Sequence, residues 1–184
     1  MIIESIVTTL DEEGRVNFAP MGVEWGEETI AIKPYKETTT YRNLTATGVG
    51  VINLTDNVLI FAKSAIANPV FATRPAVALQ GMVLEDVCSW REVEVVDANM
   101  EQPRALFTTR VVYRGFNREF LGFNRARHAV LEAAILATRT RFLPTAEILA
   151  EFERLQVIVD KTAGPQEHQA MSLLTEYVQK ELAS

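Results

Sequence analysis

The stretch Arg15–Leu54 reads RVNFAPMGVEWGEETIAIKPYKETTTYRNLTATGVGVINL, and its punctuation decides the fold. A strand over Arg15–Ala19 carries Asn17 and runs into Pro20-Met21-Gly22. A second strand, Thr29–Lys33, runs into Pro34-Tyr35. Proline cannot donate to a sheet ladder, so Pro20 and Pro34 are expected to end these strands. Three threonines, Thr38 to Thr40, then open a short helix over Thr39–Thr45, and a third strand, Val49–Leu54, bears Asn53 near its end. Hydroxyls and free backbone N–H groups at a helix start form a ready anion site. Lys33, Lys36 and Arg42 stand close together in this stretch, with only Glu37 opposing them. The combination suits a phosphate attached to something flat and apolar.

Working outward, strand signals dominate the first two-thirds of the chain. Ile2–Leu10 is rich in β-branched residues and is followed by Asp11-Glu12-Glu13-Gly14, a hairpin-like turn. Asn57–Asn68 has apolar residues at helical spacing and is closed by Pro69. Ala76–Glu85, Arg91–Asn99 and Ala105–Phe116 read as three more strands, the last two long and antiparallel. Six or seven strands with few helices between them imply a closed or nearly closed barrel. The pattern changes near Gly122. Asn124 is a good N-cap for a helix over Arg125–Arg139, Thr145–Lys161 is a second helix, Gly164-Pro165 punctuates, and Gln166–Leu182 is a third. The expected organisation is an α+β chain, with a barrel over residues 1–121 and a helical subdomain over 122–184.

The 184 residues, nearly half of them apolar and about a quarter charged, suffice for a core without staples. The one cysteine, Cys88, sits in an apolar run and is expected as a buried thiol. The N-terminus lacks a basic region followed by a long apolar stretch, so neither a signal peptide nor a membrane span is expected, and the expected compartment is the cytoplasm. A net charge of −6 argues against nucleic acid as a partner. The charge is uneven. Between Pro103 and Phe142 eight arginines face two glutamates, leaving that segment at +6 against −12 for the remainder. A positive segment in an acidic protein suits a locally held anionic ligand; arginines paired with acidic neighbours at a fold or dimer interface are the alternative.

The order strand, Asp-Glu-Glu-Gly turn, RVNFAPMG, strand, TTTYRNL, VINL resembles the FMN-binding split barrel. The later run GFNRARHAVLEAAILATRTR resembles the helical extension of one subgroup, domain-of-unknown-function family 447. The resemblance covers nearly the whole chain. It implies an FMN-binding split β-barrel with a C-terminal α-helical subdomain and a homodimer with flavin at the subunit interface. Carried over by position, it implicates Asn17, Ala19, Met21, Lys33, Tyr35, Thr38, Thr39, Tyr41 and Asn53 in holding FMN. Thr38 and Thr39 would bond the phosphate, and Tyr35 or Met21 would pack on the isoalloxazine. It further implies flavin-reductase-like hydride or electron transfer to a small anionic substrate, and points to one-carbon metabolism with a methanopterin-type carrier. A non-catalytic FMN sensor or carrier is the competing expectation.

The helix Arg125–Arg139 supplies the remaining candidates. Arg125, His128, Glu132 and Arg139 fall on one stripe; Ala126, Ala129, Val130, Ala133 and Ala137 form a small apolar stripe. His128 and Arg125 are the candidate catalytic residues, His128 as proton donor or substrate partner. An exposed, salt-linked helix face is the other reading of the same spacing. No metal is expected: the chain has two histidines and one cysteine, and HAVLE is not HExxH. A P-loop and a G-x-S-x-G elbow are absent, and Gly48-Val49-Gly50 does not continue into a Rossmann fingerprint. Flavin chemistry needs none of these, because the reacting ring belongs to the cofactor.

Overall fold

A hairpin begins the barrel. In the computed structural model, which describes residues 1–183, β1 (Ile2–Leu10) pairs antiparallel with β2 (Val16–Glu24) along its whole length. Asp11 builds the turn: its Oδ1 accepts from the N–H groups of Glu13 (3.1 Å) and Arg15 (2.8 Å). Gly14 turns the chain back at φ +81°, a conformation that a Cβ would strain. Then come β3 (Thr29–Ile32), α1 (Thr39–Thr47), β4 (Val49–Leu54), α2 (Val58–Ile66), β5 (Thr73–Pro75), β6 (Met82–Leu84), β7 (Ser89–Asn99) and β8 (Leu106–Phe116). Three helices follow: α3 (Arg125–Ala137), α4 (Thr145–Thr162) and α5 (Pro165–Leu182). Six strands close in the order β1-β2-β3-β8-β7-β4, and β5–β6 form a separate two-stranded ribbon.

Two expectations are corrected. Pro20 does not end its strand; β2 runs through it to Glu24. Trp25 N–H donates to Met1 C=O (2.8 Å), so the alternation of an antiparallel ladder turns the backbone groups of Phe18, Pro20 and Gly22 away from β1. On that side β2 meets β3 through one pair, Glu24–Ala31. The missing N–H of Pro20 falls where no strand would receive it. Ala76–Glu85 is not one strand but β6 and the loop before it. That loop is held from β7: the fully buried Glu92 carboxylate accepts from Val77 N–H (2.7 Å), Ala78 N–H (2.6 Å) and Trp90 Nε1–H (3.0 Å).

The chain divides into two compact units. The first joins Met1–Thr55 to Val70–Phe120; the second joins Asp56–Pro69 to the residues from Leu121 onward. Thus α2, although inside the first 121 residues, packs with the C-terminal helices. The barrel core gathers Val7, Val23, Ile30, Ile32, Ile52 and Phe107. Its central polar element is Asn53, fully buried. The Asn53 amide donates to Ile6 C=O (2.9 Å) and Thr8 Oγ1 (3.1 Å) and its Oδ1 accepts from Leu84 N–H (2.9 Å), joining β4 to β1 and β6. Cys88 is buried, as expected.

In the helical unit α3 touches α2, α4 and α5. Its alanines at 126, 129, 133 and 137 are fully buried, and small side chains let all three neighbours approach. Asn124 caps α3 by accepting from Arg127 N–H (3.0 Å). Arg127 then reaches inward: Nη1 meets Asp56 (3.0 Å) ahead of α2, and Nε meets Glu167 (3.0 Å) on α5. Both carboxylates are buried. Burial alone would raise the Glu167 carboxyl, but the hydrogen bond from Arg127 and the backbone amides outweigh it and hold the group below its ordinary value of 4.5. No helix among the described residues is long and apolar enough to cross a membrane.

Two expectations about stability follow. Asn53→Leu keeps the volume but strands Leu84 N–H and the acceptors on β1, which costs about 1–3 kcal/mol for each buried group left without a partner. Both tryptophans, Trp25 and Trp90, lie in the barrel unit, so a lowered urea midpoint in their emission reads this directly. Arg127→Met leaves two buried carboxylates without their counter-charge, a loss of about 3–5 kcal/mol at neutral pH. The Glu167 carboxyl is depressed in the folded state, so its contribution is complete above the ordinary carboxylate value and drains away as pH falls through the depressed one. In Arg127→Met only the backbone amides remain to oppose burial, so the carboxyl loses the part of its depression that Arg127 supplied. The penalty is therefore largest near neutrality and shrinks on acidification, as urea melts followed by circular dichroism at several pH values would show.

Candidate functional site

The single-pair seam between β2 and β3 leaves a slit in the barrel wall, and α1 stands beside it. Asn17 on β2 fixes the helix: its Nδ2 donates to the buried Thr40 Oγ1 (3.0 Å). Asn43 Nδ2 donates to Thr9 Oγ1 on β1 (3.0 Å) and fixes it a second time. The slit therefore has a strand edge with outward backbone groups on one side and the start of a helix on the other. Ala19 and Met21 sit half-buried along that edge, with Met21 packed against the barrel core.

Thr38 is the N-cap of α1. Its Oγ1 accepts from Tyr41 N–H (3.3 Å) and donates to Tyr35 C=O (2.7 Å). The Thr38 hydroxyl is thus engaged in shaping the turn. The amides of Thr39 and Thr40 lie in the first turn, where a helix has no internal acceptors. Thr39 is exposed, and its Oγ1 accepts from Arg42 Nη2 (2.9 Å). No acid stands in the first turn of α1 to compete for its positive end.

The cations divide into two kinds. Lys33 is paired with Glu24 across the seam. Arg42 lies against the turn, with Nη1 on Glu37 C=O (3.0 Å), and has no ion pair among the described residues; nor has Lys36. Arg104 joins them from the segment before β8. Its Nε donates to Lys33 C=O (2.9 Å), its guanidinium lies 5.0 Å from the Tyr35 ring centre, and a bridge pairs the two backbones. Arg104 was counted in the basic segment by sequence but not placed here. Only the register of β3 on β8, with Ile32 opposite Phe107, brings it to the turn. The Tyr35 ring is half-exposed, whereas Tyr41 packs edge-on to Phe107 at 6.0 Å as part of the core.

The remaining candidates fall elsewhere. Asn53 is enclosed and its amide is bonded within the barrel, so its part is to hold the strands in place. Arg125 and His128 occupy the exposed face of α3, in the helical unit; Arg127 is the arginine drawn into the interior. No group of three or more His, Cys, Asp or Glu side chains among the described residues is arranged to hold a metal ion.

The fold has known counterparts. The FMN-bound protein MM1853 from Methanosarcina mazei is 24% identical over 96% of this chain and 94% of its own, with a TM-score of 0.83. The styrene monooxygenase flavin reductase of Pseudomonas putida S12 is 18% identical over 63% of this chain and 79% of its own, at 0.55. Flavoredoxin of Desulfovibrio vulgaris is 16% identical over 63% and 70%, at 0.52. At these identities the likeness is one of fold, and it places the barrel among the split barrels. Family models carry the assignment further: the N-terminal domain model of the protein of unknown function DUF447 matches residues 3–118, the C-terminal one matches residues 124–176, and the chain belongs to that family.

Proposed function

We propose that this protein is an FMN-binding flavoprotein that holds the cofactor along the slit beside β2, with the phosphate at the start of α1. The observation that carries the reading is the donor set itself. A capped helix start with free first-turn amides, the Thr39 hydroxyl, and Lys36, Arg42 and Arg104, which have no carboxylate partners among the described residues, surround one turn. Such a set matches a dianionic phosphate. The open edge of β2 presents backbone N–H and C=O groups of the kind that a flat heteroaromatic ring requires. The half-exposed Tyr35 ring offers a surface for apolar contact. The FMN-bound relative within the same family supports the choice of flavin.

In this reading each residue has a physical task. Thr38 shapes the turn, Thr39 and the amides bond the phosphate, and the three cations neutralise it. Asn17 holds α1 at the distance the cofactor needs. Bound there, FMN would supply hydride or electron transfer, and the chain would orient it and exclude water. We place the protein among flavin-dependent oxidoreductases acting on a small anionic substrate, and assign it a homodimeric state in which a second subunit covers the slit. Arg125 and His128, exposed in the single chain, are the side chains assigned to the substrate.

The purified protein should show a flavin spectrum and release FMN on denaturation, identified by mass. Thr38→Ala combined with Thr39→Ala should weaken FMN by at least about tenfold, since one charge-assisted hydrogen bond is worth about 1.5–3 kcal/mol. Riboflavin, which lacks the phosphate, should bind both forms alike; equal losses for the two ligands would remove the phosphate assignment. After anaerobic reduction, reoxidation by a cellular acceptor faster than by dissolved oxygen supports turnover. Reoxidation by oxygen alone favours a carrier.

The assembly is checked separately. Light scattering at micromolar concentration should give twice the chain mass. A monomer that retains FMN would show that one chain forms the whole site.

A further inference from the structure

We propose a second anion site on the barrel, built on the cross-strand arginine pair Arg91–Arg114 beside Trp25, which takes the oxyanion group, carboxylate or phosphate, of a small ligand. Arg91 on β7 and Arg114 on β8 are direct partners in the ladder. Like charges placed opposite each other across a sheet repel, so the pairing carries a cost that the strands themselves do not explain. Arg91 is half-buried. Its Nη1 donates to Trp90 C=O (2.9 Å), and its guanidinium lies 5.4 Å from the Trp25 ring centre.

The neighbouring acids neutralise Arg114 but not Arg91. Glu92, next to Arg91 in the chain, is spent on the amides of Val77 and Ala78 and on the Trp90 indole. Glu28 meets Arg114 (2.5 Å), which also bonds Glu27 C=O (2.7 Å). Among the described residues Arg91 has no carboxylate partner. Arg114 therefore has an acid of its own and Arg91 has none, at the barrel end where β2 turns into β3. Burial first, and the Arg114 charge second, pull the Arg91 guanidinium below its ordinary value, the signature of a cation held without its counter-ion. A shallow depression of about 290 Å³, lined by Glu28, Arg114 and Val111–Tyr113, opens on the Arg114 side of the pair.

This place is distinct from the proposed phosphate turn. Arg104 and Arg114 are separated by ten residues of largely extended chain, on the order of 30 Å along the strand direction. The planar forks of two arginines suit a two-oxygen or three-oxygen anion, and the Trp25 face stiffens the fork that receives it. The two sites would let one barrel hold two anionic ligands at once.

The experiment titrates the purified protein with inorganic phosphate and, in parallel, with succinate, against sodium chloride at matched ionic strength. Tryptophan emission, which Trp25 shares with Trp90, and melting temperature are the readouts. A saturable change with either anion that chloride does not reproduce is expected, phosphate and succinate being distinguished by which arm saturates at lower concentration. Arg91→Gln and Arg114→Gln should each weaken it at least tenfold. Arg91→Lys, which keeps the charge but loses the fork, should weaken it in the same sense and serves if Arg91→Gln does not fold. Arg110→Gln, whose arginine pairs with Glu94 farther along β8, should leave it unchanged. A response no larger than that of chloride, or one undiminished in all three Arg91 and Arg114 variants, would overturn the site.

Discussion

A barrel wall with one weak seam governs this structure. Backbone polar groups that face away from a neighbour must still be satisfied, and β2 has such groups at Phe18, Pro20 and Gly22. The chain manages the problem in three ways. Proline removes one donor outright. Glu24 and Lys33 close the seam at one end with an ion pair. Asn17 and Asn43 hold α1 near the edge through buried side-chain hydrogen bonds. What remains open is a strip of peptide groups next to a helix start. The opening persists because the opposite side of the barrel is rigid, with Asn53 and Glu92 locking β1, β4, β6 and β7.

Rigidity in the two units has different sources. The barrel relies on buried neutral amides and one carboxylate that meets only N–H donors. The helical unit relies on small residues for close approach and on one arginine for its polar centre. Arg127 links segments far apart in sequence, from Asp56 to Glu167. A buried ion triad of this type adds less to stability than its geometry suggests, because desolvation offsets the attraction. It does select one arrangement of α2, α3 and α5, since any other leaves a charge alone.

Local signals were legible. The Asp11 turn, the Thr38 and Asn124 caps, and the break at Gly164-Pro165 each depend on a few adjacent residues, and the structure places them where the sequence does. The small stripe of α3 was legible because a helical period exposes it, and it is buried as read. Edge status was not legible: whether Pro20 ends a strand depends on what lies beside it. The loop at 76–81 reads as strand because its residues are apolar, and the carboxylate that bends it comes from Glu92. For the site, the Thr38–Thr39 turn was visible in sequence, while Arg104 and the pairing of Arg91 with Arg114 required strand register. The polar stripe with Arg125 and His128 was visible too, but periodicity alone could not say that Arg127 is the one that turns inward.

The excursion of the chain through α2 has a further consequence for synthesis. The polypeptide leaves the barrel after Thr55, contributes α2 to the helical unit, and returns at Val70. On an emerging chain α2 therefore appears long before α3, the helix whose alanines cover it. Until then its apolar face has no partner from its own unit, and the interval spans the β5–β6 ribbon and two barrel strands, β7 and β8. Neither unit can finish independently in order of sequence, and the last helices to appear complete what an early segment began. A chain cut after the final strand would not release a clean barrel, for it would carry α2 as an exposed apolar insert.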